Sequence, residues 1–102
     1  MTLDKLKENH YPIAVNTGIS IENEAMVFTL YAENWNDFDN DRYFLDIEKN
    51  DEHGIVELTS LEAANSLAKE LTGNTEKDYF TMDEDGEIQG DIYGKVVRKE
   101  QE

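Results

Sequence analysis

No cysteine occurs among the 102 residues. A disulfide framework, a thiolate zinc site and a thiol nucleophile are therefore excluded, and folding needs no oxidising compartment. Basic side chains are scarce: nine Lys and Arg stand against 24 Asp and Glu, a formal net charge of −15. None lies between Lys7 and Arg42. Such a surface repels nucleic acid and anionic membrane, and it attracts basic proteins or cations. Long apolar runs are lacking too. The longest, Ala25 to Ala32, is too short and too interrupted to cross a bilayer. The N-terminal MTLDKLKENHYP has no apolar core of the signal-peptide kind. These absences lead us to expect a soluble, cytoplasmic protein.

What the chain does contain argues for a folded domain. Hydrophobic residues make up 38% and aromatics 10%, including Trp35, five Tyr and four Phe. That aromatic content is too high for a disordered acidic tail. The length sets one domain, 1–102, with a small core.

Along the chain, Leu3 and Leu6 with Asp4 near the start predict a short N-terminal helix over 2–9, ended by the only proline, Pro12. Ile13 to Val15 opens an extended segment, Thr17-Gly18 suggests a turn, and Ile19 and Ile21 alternate as in a half-buried strand. Ala25 to Ala32 is the strongest strand, apolar on both parities and hence expected to be covered on both faces. Asn34 to Asp41 is an Asn/Asp-rich loop carrying Trp35 and Phe38. Tyr43 to Glu48 is a second strand, Asn50 to Gly54 a turn with His53 in it, and Ile55 to Leu58 a short strand. Thr59 and Glu62 have the spacing of a capping box. Leu61, Ala64, Leu67, Ala68 and Leu71 follow at helical spacing, and Gly73 supplies the stop. Tyr79 to Met82 and Ile88 to Val97 then form a hairpin across 83–86, with Asp85-Gly86 as a favoured two-residue turn. The order α-β-β-β-β-α-β-β implies an α+β fold. Four to six antiparallel strands should carry the main helix, about 59–72, on one face.

The acids are patterned. They recur at every second position in Glu22/Glu24, Asp37/Asp39/Asp41, Asp46/Glu48 and Asp83/Asp85/Glu87. On an extended strand, such residues point the same way about 6.6–6.8 Å apart. A row of this kind presents charge somewhat as a line of phosphates does, and grooves built for nucleic acid are lined with Lys and Arg that match it. In size, acidity and aromatic-studded acidic loops the chain resembles nucleic-acid-mimicking inhibitors as a physical type. Phage anti-restriction and anti-CRISPR proteins and immunity proteins of nuclease toxins are of that type. The same alternation is also what the solvated face of any antiparallel sheet looks like.

The expected partner is accordingly a basic, nucleic-acid-binding protein, such as a nuclease or defence effector, with no direct contact to nucleic acid or membrane. The candidate contact residues are Asp37, Asp39, Asp41, Asp83, Glu84, Asp85 and Glu87 for charge, with Trp35 as an aromatic anchor. The rival reading is a small structural or accessory module whose acidity serves solubility and which assembles through an exposed edge strand or its apolar patches, so that monomer and homodimer both stay open.

Other chemistry finds little support. Aligning Gly86 with the glycine of a calcium-binding helix-loop-helix puts Thr81 and Ile92 where an Asp and a bidentate Glu belong. Asp37/Asp39/Asp41 is followed by Arg42 where that glycine should stand. His10 and His53 are isolated, and no catalytic motif occurs. No metal, cofactor or catalytic residue is therefore expected. Lys95, Arg98 and Lys99 form the only basic cluster and read as solvated or paired with nearby acids.

Overall fold

The computed structural model describes residues 2–34, 40–76, 78–84 and 88–90. Four strands form an antiparallel meander: β1 (Tyr11–Ile19), β2 (Ala25–Ala32), β3 (Tyr43–Lys49) and β4 (Glu52–Leu58), in the order β1-β2-β3-β4. A short helix α1 (Leu3–Asn9) precedes them, and the main helix α2 (Leu61–Thr72) follows. A two-stranded hairpin of β5 (Phe80–Met82) and β6 (Ile88–Gly90) comes last. The fold is α+β, as the alternation and helical spacing predict.

Strand periodicity separates two unequal layers. The even residues of β2 (Met26, Phe28, Leu30, Ala32) and the odd residues Tyr43 and Leu45 of β3 are buried. They join Ile13, Ala14, Ala64, Ala68, Tyr79, Phe80 and Ile88 in the main core. On the opposite face, a smaller cluster of Leu6, Tyr31 and Phe44, with Leu3 and Ile55, lies beneath α1. His10, the α1 C-cap, donates from Nδ1 to the Leu6 carbonyl (3.3 Å) and packs edge-on to the Phe44 ring. Beyond α1 this face is only partly covered, since Val27 and Thr29 are half-buried. Coverage of β2 on both faces is thus confined to its Tyr31–Ala32 end.

Several local expectations are corrected. β1 runs unbroken through Thr17-Gly18 to Ile19, so no turn occurs there. Gly18 serves packing instead: a Cβ on it would stand 2.6 Å from Thr72 Cγ2 and 3.1 Å from the Phe28 ring. The turn comes at Ser20–Glu24. There Ser20 N–H donates to the Glu24 carbonyl (2.8 Å), the Ser20 hydroxyl accepts from Glu24 N–H (3.0 Å), and Asn23 takes a positive φ of 70°. Pro12 sits inside β1, at the register shift between Pro12 and Ala14, and α1 has already ended at Asn9. The β3–β4 turn is only Asn50-Asp51, both at positive φ, so His53 and Gly54 belong to β4. The N-cap of α2 is Ser60 rather than Thr59. Its hydroxyl accepts from Ala63 N–H at 3.0 Å, which removes the Thr59–Glu62 capping box. Gly73 does close α2, in the left-handed conformation.

Two buried asparagines fix the chain after α2. Asn65 donates from Nδ2 to the Phe80 carbonyl (2.8 Å) and accepts from Phe80 N–H through Oδ1 (2.7 Å). Asn16 on β1 donates to the Tyr79 carbonyl (2.8 Å). The Tyr79 hydroxyl donates to Thr72 Oγ1 (2.9 Å). Polar side chains on two elements, β1 and α2, thus satisfy backbone groups of Tyr79 and Phe80.

Candidate protein-docking surface

The antiparallel meander fixes which loops share an end. β1 begins, β2 ends, β3 begins and β4 ends together, since Tyr11 pairs with Ala32 and Tyr43 with Leu58. α2 starts at that end and runs back toward the Ser20–Glu24 turn, where its last turn meets Gly18. β5 returns along α2 in the opposite sense. Asp78 pairs with Lys69 (2.8 Å), Phe80 is held by Asn65, and Met82 lines a groove with Leu61 and Glu62. The β2–β3 and β5–β6 connections therefore leave from one end of the domain.

Asp41, Asp83 and Glu84 are exposed at this shared end, together with Glu33 and Glu62. Arg42 lies there too, with its Nε 3.3 Å from the Glu57 carboxylate. Trp35, Asp37, Asp39, Asp85 and Glu87 lie outside the described residues, as do Phe38, the Asp85-Gly86 turn and the Lys95, Arg98 and Lys99 cluster. The even spacing expected of Asp83/Asp85/Glu87 does not extend to Asp83, because β5 ends at Met82. The register pairs Met82 with Ile88, the inner strand ends that the sequence predicts, with residues 83–87 between them.

The rows Glu22/Glu24 and Asp46/Glu48 do not form charge arrays. Glu22 and Glu24 flank Asn23 in a turn instead of sharing a strand face. Glu24 accepts from Asn50 Nδ2 (3.0 Å) and pairs with Lys49 (3.2 Å), and these contacts, the Asn50 hydrogen bond first, lower its pKa. Asp46 is 4% exposed and faces the partly covered side of the sheet. His53 Nδ1 lies 3.0 and 2.9 Å from its two carboxylate oxygens. A carboxylate only accepts, so Nδ1 carries the hydrogen and donates.

This pair was not legible in the sequence, where His53 reads as an isolated turn residue. The signal was available in the spacing. A tight Asn50-Asp51 turn pairs Glu48 with His53, which puts Asp46 on the same face one step along. Among the described residues no hydroxyl hydrogen-bonds to the His53 ring, and the pair staples β3 to β4. Tyr31, on the same face, has its pKa raised by burial and, to a lesser degree, by the Asp46 charge.

No protein-family model, curated protein or solved structure matches this chain. The surface must be read from its own chemistry.

No group of three or more His, Asp or Glu among the described residues is placed to share a metal ion. Likewise, no helix among them is long and apolar enough to cross a membrane. The groove between α2 and β5, about 410 Å³, is lined by Asn65, Lys69, Asp78 and Phe80. Of its polar side chains, Asn65 is engaged with the Phe80 backbone and Lys69 with Asp78. Asp41, Asp83, Glu84, Glu33 and Glu62 are outward-facing at the end from which the two acidic connections leave.

Proposed function

We propose that this protein is a non-catalytic acidic inhibitor that occupies the basic nucleic-acid-binding groove of a partner protein in the cytoplasm. The partner is a nuclease or defence effector of the kind that phage anti-restriction and anti-CRISPR proteins or nuclease-immunity proteins neutralise. Asp37, Asp39 and Asp41 from one connection, and Asp83, Glu84, Asp85 and Glu87 from the other, supply the charge. Trp35 supplies the anchor.

One observation carries the reading. A net charge of −15 is combined with two acidic connections that share an end. Carboxylates on one end steer a basic groove toward one orientation and displace the ions it holds. A second reading, a small accessory module whose acidity serves solubility, is favoured by the β4 edge, which is open among the described residues.

Capture from lysate on the immobilised full chain at about 50 mM salt, followed by a step to about 500 mM, tests the proposal. The expected result is release of a nucleic-acid-binding protein. Duplex DNA should compete for it, and the Asp37→Lys, Asp39→Lys, Asp41→Lys triple variant should weaken its binding at least about tenfold. A salt step that releases no partner, or only copies of the chain itself, would reject the inhibitor and favour the module.

A further inference from the structure

Among the described residues, β4 forms an open edge of the four-stranded sheet, pairing with β3 alone, and none of its residues is fully buried. Asn50 and Asp51, at φ 54° and 67°, make the two-residue turn that closes on a hydrogen-bonded pair, here Lys49 and Glu52. Alternation then assigns the backbone groups of Gly54, Val56 and Leu58 to β3. The N–H and C=O of His53, Ile55 and Glu57 are directed outward. Exposed edges of this kind invite a further strand unless they are blunted.

We infer that the β4 edge is a self-complementary surface that pairs antiparallel with β4 of a second copy, joining the two meanders into one continuous sheet. Ile55 is the midpoint of Glu52–Leu58, so full-length pairing places it on the two-fold axis. His53 then stands opposite Glu57 of the second copy, and Glu57 opposite its His53, so that a protonated ring, with Nδ1 on Asp46, donates from Nε2 to a carboxylate on each side of the axis. Both are exposed, and the Arg42 contact leaves the Glu57 side chain 56% accessible. Gly54 faces Val56 of the second copy, and a Cβ at Gly54 would meet nothing within 4 Å, which leaves space for the valine. Sliding the pairing one step toward the turn sets Asp51 against Glu57, a like-charge pair. Sliding it the other way carries Glu52 and His53 past the end of the opposing strand. The symmetric register is the one that uses every residue of the strand without a charge clash. The inference stands whether or not the acidic end binds a basic groove.

Sedimentation velocity on the full chain from about 5 to 500 µM brackets a Kd on the order of 10–100 µM, suited to a small interface. The mass should rise from 11.8 kDa toward twice that value. Added salt should favour the dimer by screening two strongly negative copies, the opposite of its effect on a charge-driven partner. A mass of 11.8 kDa throughout would overturn the proposal.

Glu57→Pro removes one outward N–H and the carboxylate at a position where an edge strand tolerates proline. Its dimer should be at least about tenfold weaker, with circular dichroism unchanged. A dimer of undiminished strength in a folded variant would refute the edge. In the unmodified chain, hydrogen exchange at His53, Ile55 and Glu57 should slow as concentration rises, while Gly54 and Val56 stay constant. Exchange at those three amides that ignores concentration would also refute it.

Discussion

Asp46 is the residue at which charge meets burial. A carboxylate on a sheet face costs free energy unless its oxygens are bonded, and His53 bonds both of them. Tyr31, on the same face, answers in the opposite sense, since its phenol resists ionisation because it is buried and faces Asp46. The linkage has a definite sign. With the folded pKa raised, Tyr31 contributes its full stability below the ordinary tyrosine value of 10.0. That contribution is lost as pH rises past this value, because the unfolded chain releases the proton first. Urea titrations at pH 8 and at successive steps above pH 10 should show Tyr31→Phe losing less stability than the unmodified protein. Parallel losses would mean that the phenol is not differentially protected.

At the scale of elements, the C-terminal hairpin depends on polar contacts more than on its own length. β5 has three residues, and a two-stranded hairpin is marginal by itself. The Asn65 side chain acts as a neighbouring strand would, accepting from and donating to Phe80. Asn65→Ala leaves a buried N–H and C=O without partners, at a cost of roughly 2–4 kcal/mol. The midpoint of chemical denaturation should fall accordingly, and a change below about 0.5 kcal/mol would show that β5 docks through its apolar side chains alone.

The elements differ in how far sequence reveals them. β2 and β3 announce themselves because one side of each is packed on α2, which imposes alternation, and α2 does so through Leu61, Ala64, Ala68 and Leu71. Asn16 and Asn65 do not, because their value lies in backbone groups 63 and 15 residues away. Gly18 reads as a turn residue for a similar reason. Only the approach of Thr72 and Phe28 explains its missing side chain.

For the whole molecule, the excess of acid is a cost of folding as well as a means of recognition. The sequence reports its size directly. It does not report the shared end of the two acidic connections, which follows from strand direction and from β5 returning along α2. Three Lys or Arg ion pairs with carboxylates occur among the described residues, and in each at least one partner is well exposed. Such pairs contribute little, about 0–1 kcal/mol each, and cannot offset the repulsion among the remaining carboxylates. Bringing that charge into a compact domain opposes folding, and counter-ions screen it over about 10 Å at 0.1 M salt and 3 Å at 1 M. Sodium chloride raised from about 10 mM to 500 mM should therefore raise the melting temperature, by ~4–8 °C for each kcal/mol of repulsion removed. Two controls keep the cause distinct. The measurement belongs at about 2 µM chain, below the dimer range, so that self-association does not contribute. Sodium chloride is the salt to use, because sulfate would also strengthen apolar burial. A melting temperature indifferent to salt would mean that the carboxylates stand too far apart to repel, and would remove the dense acidic end on which groove mimicry rests.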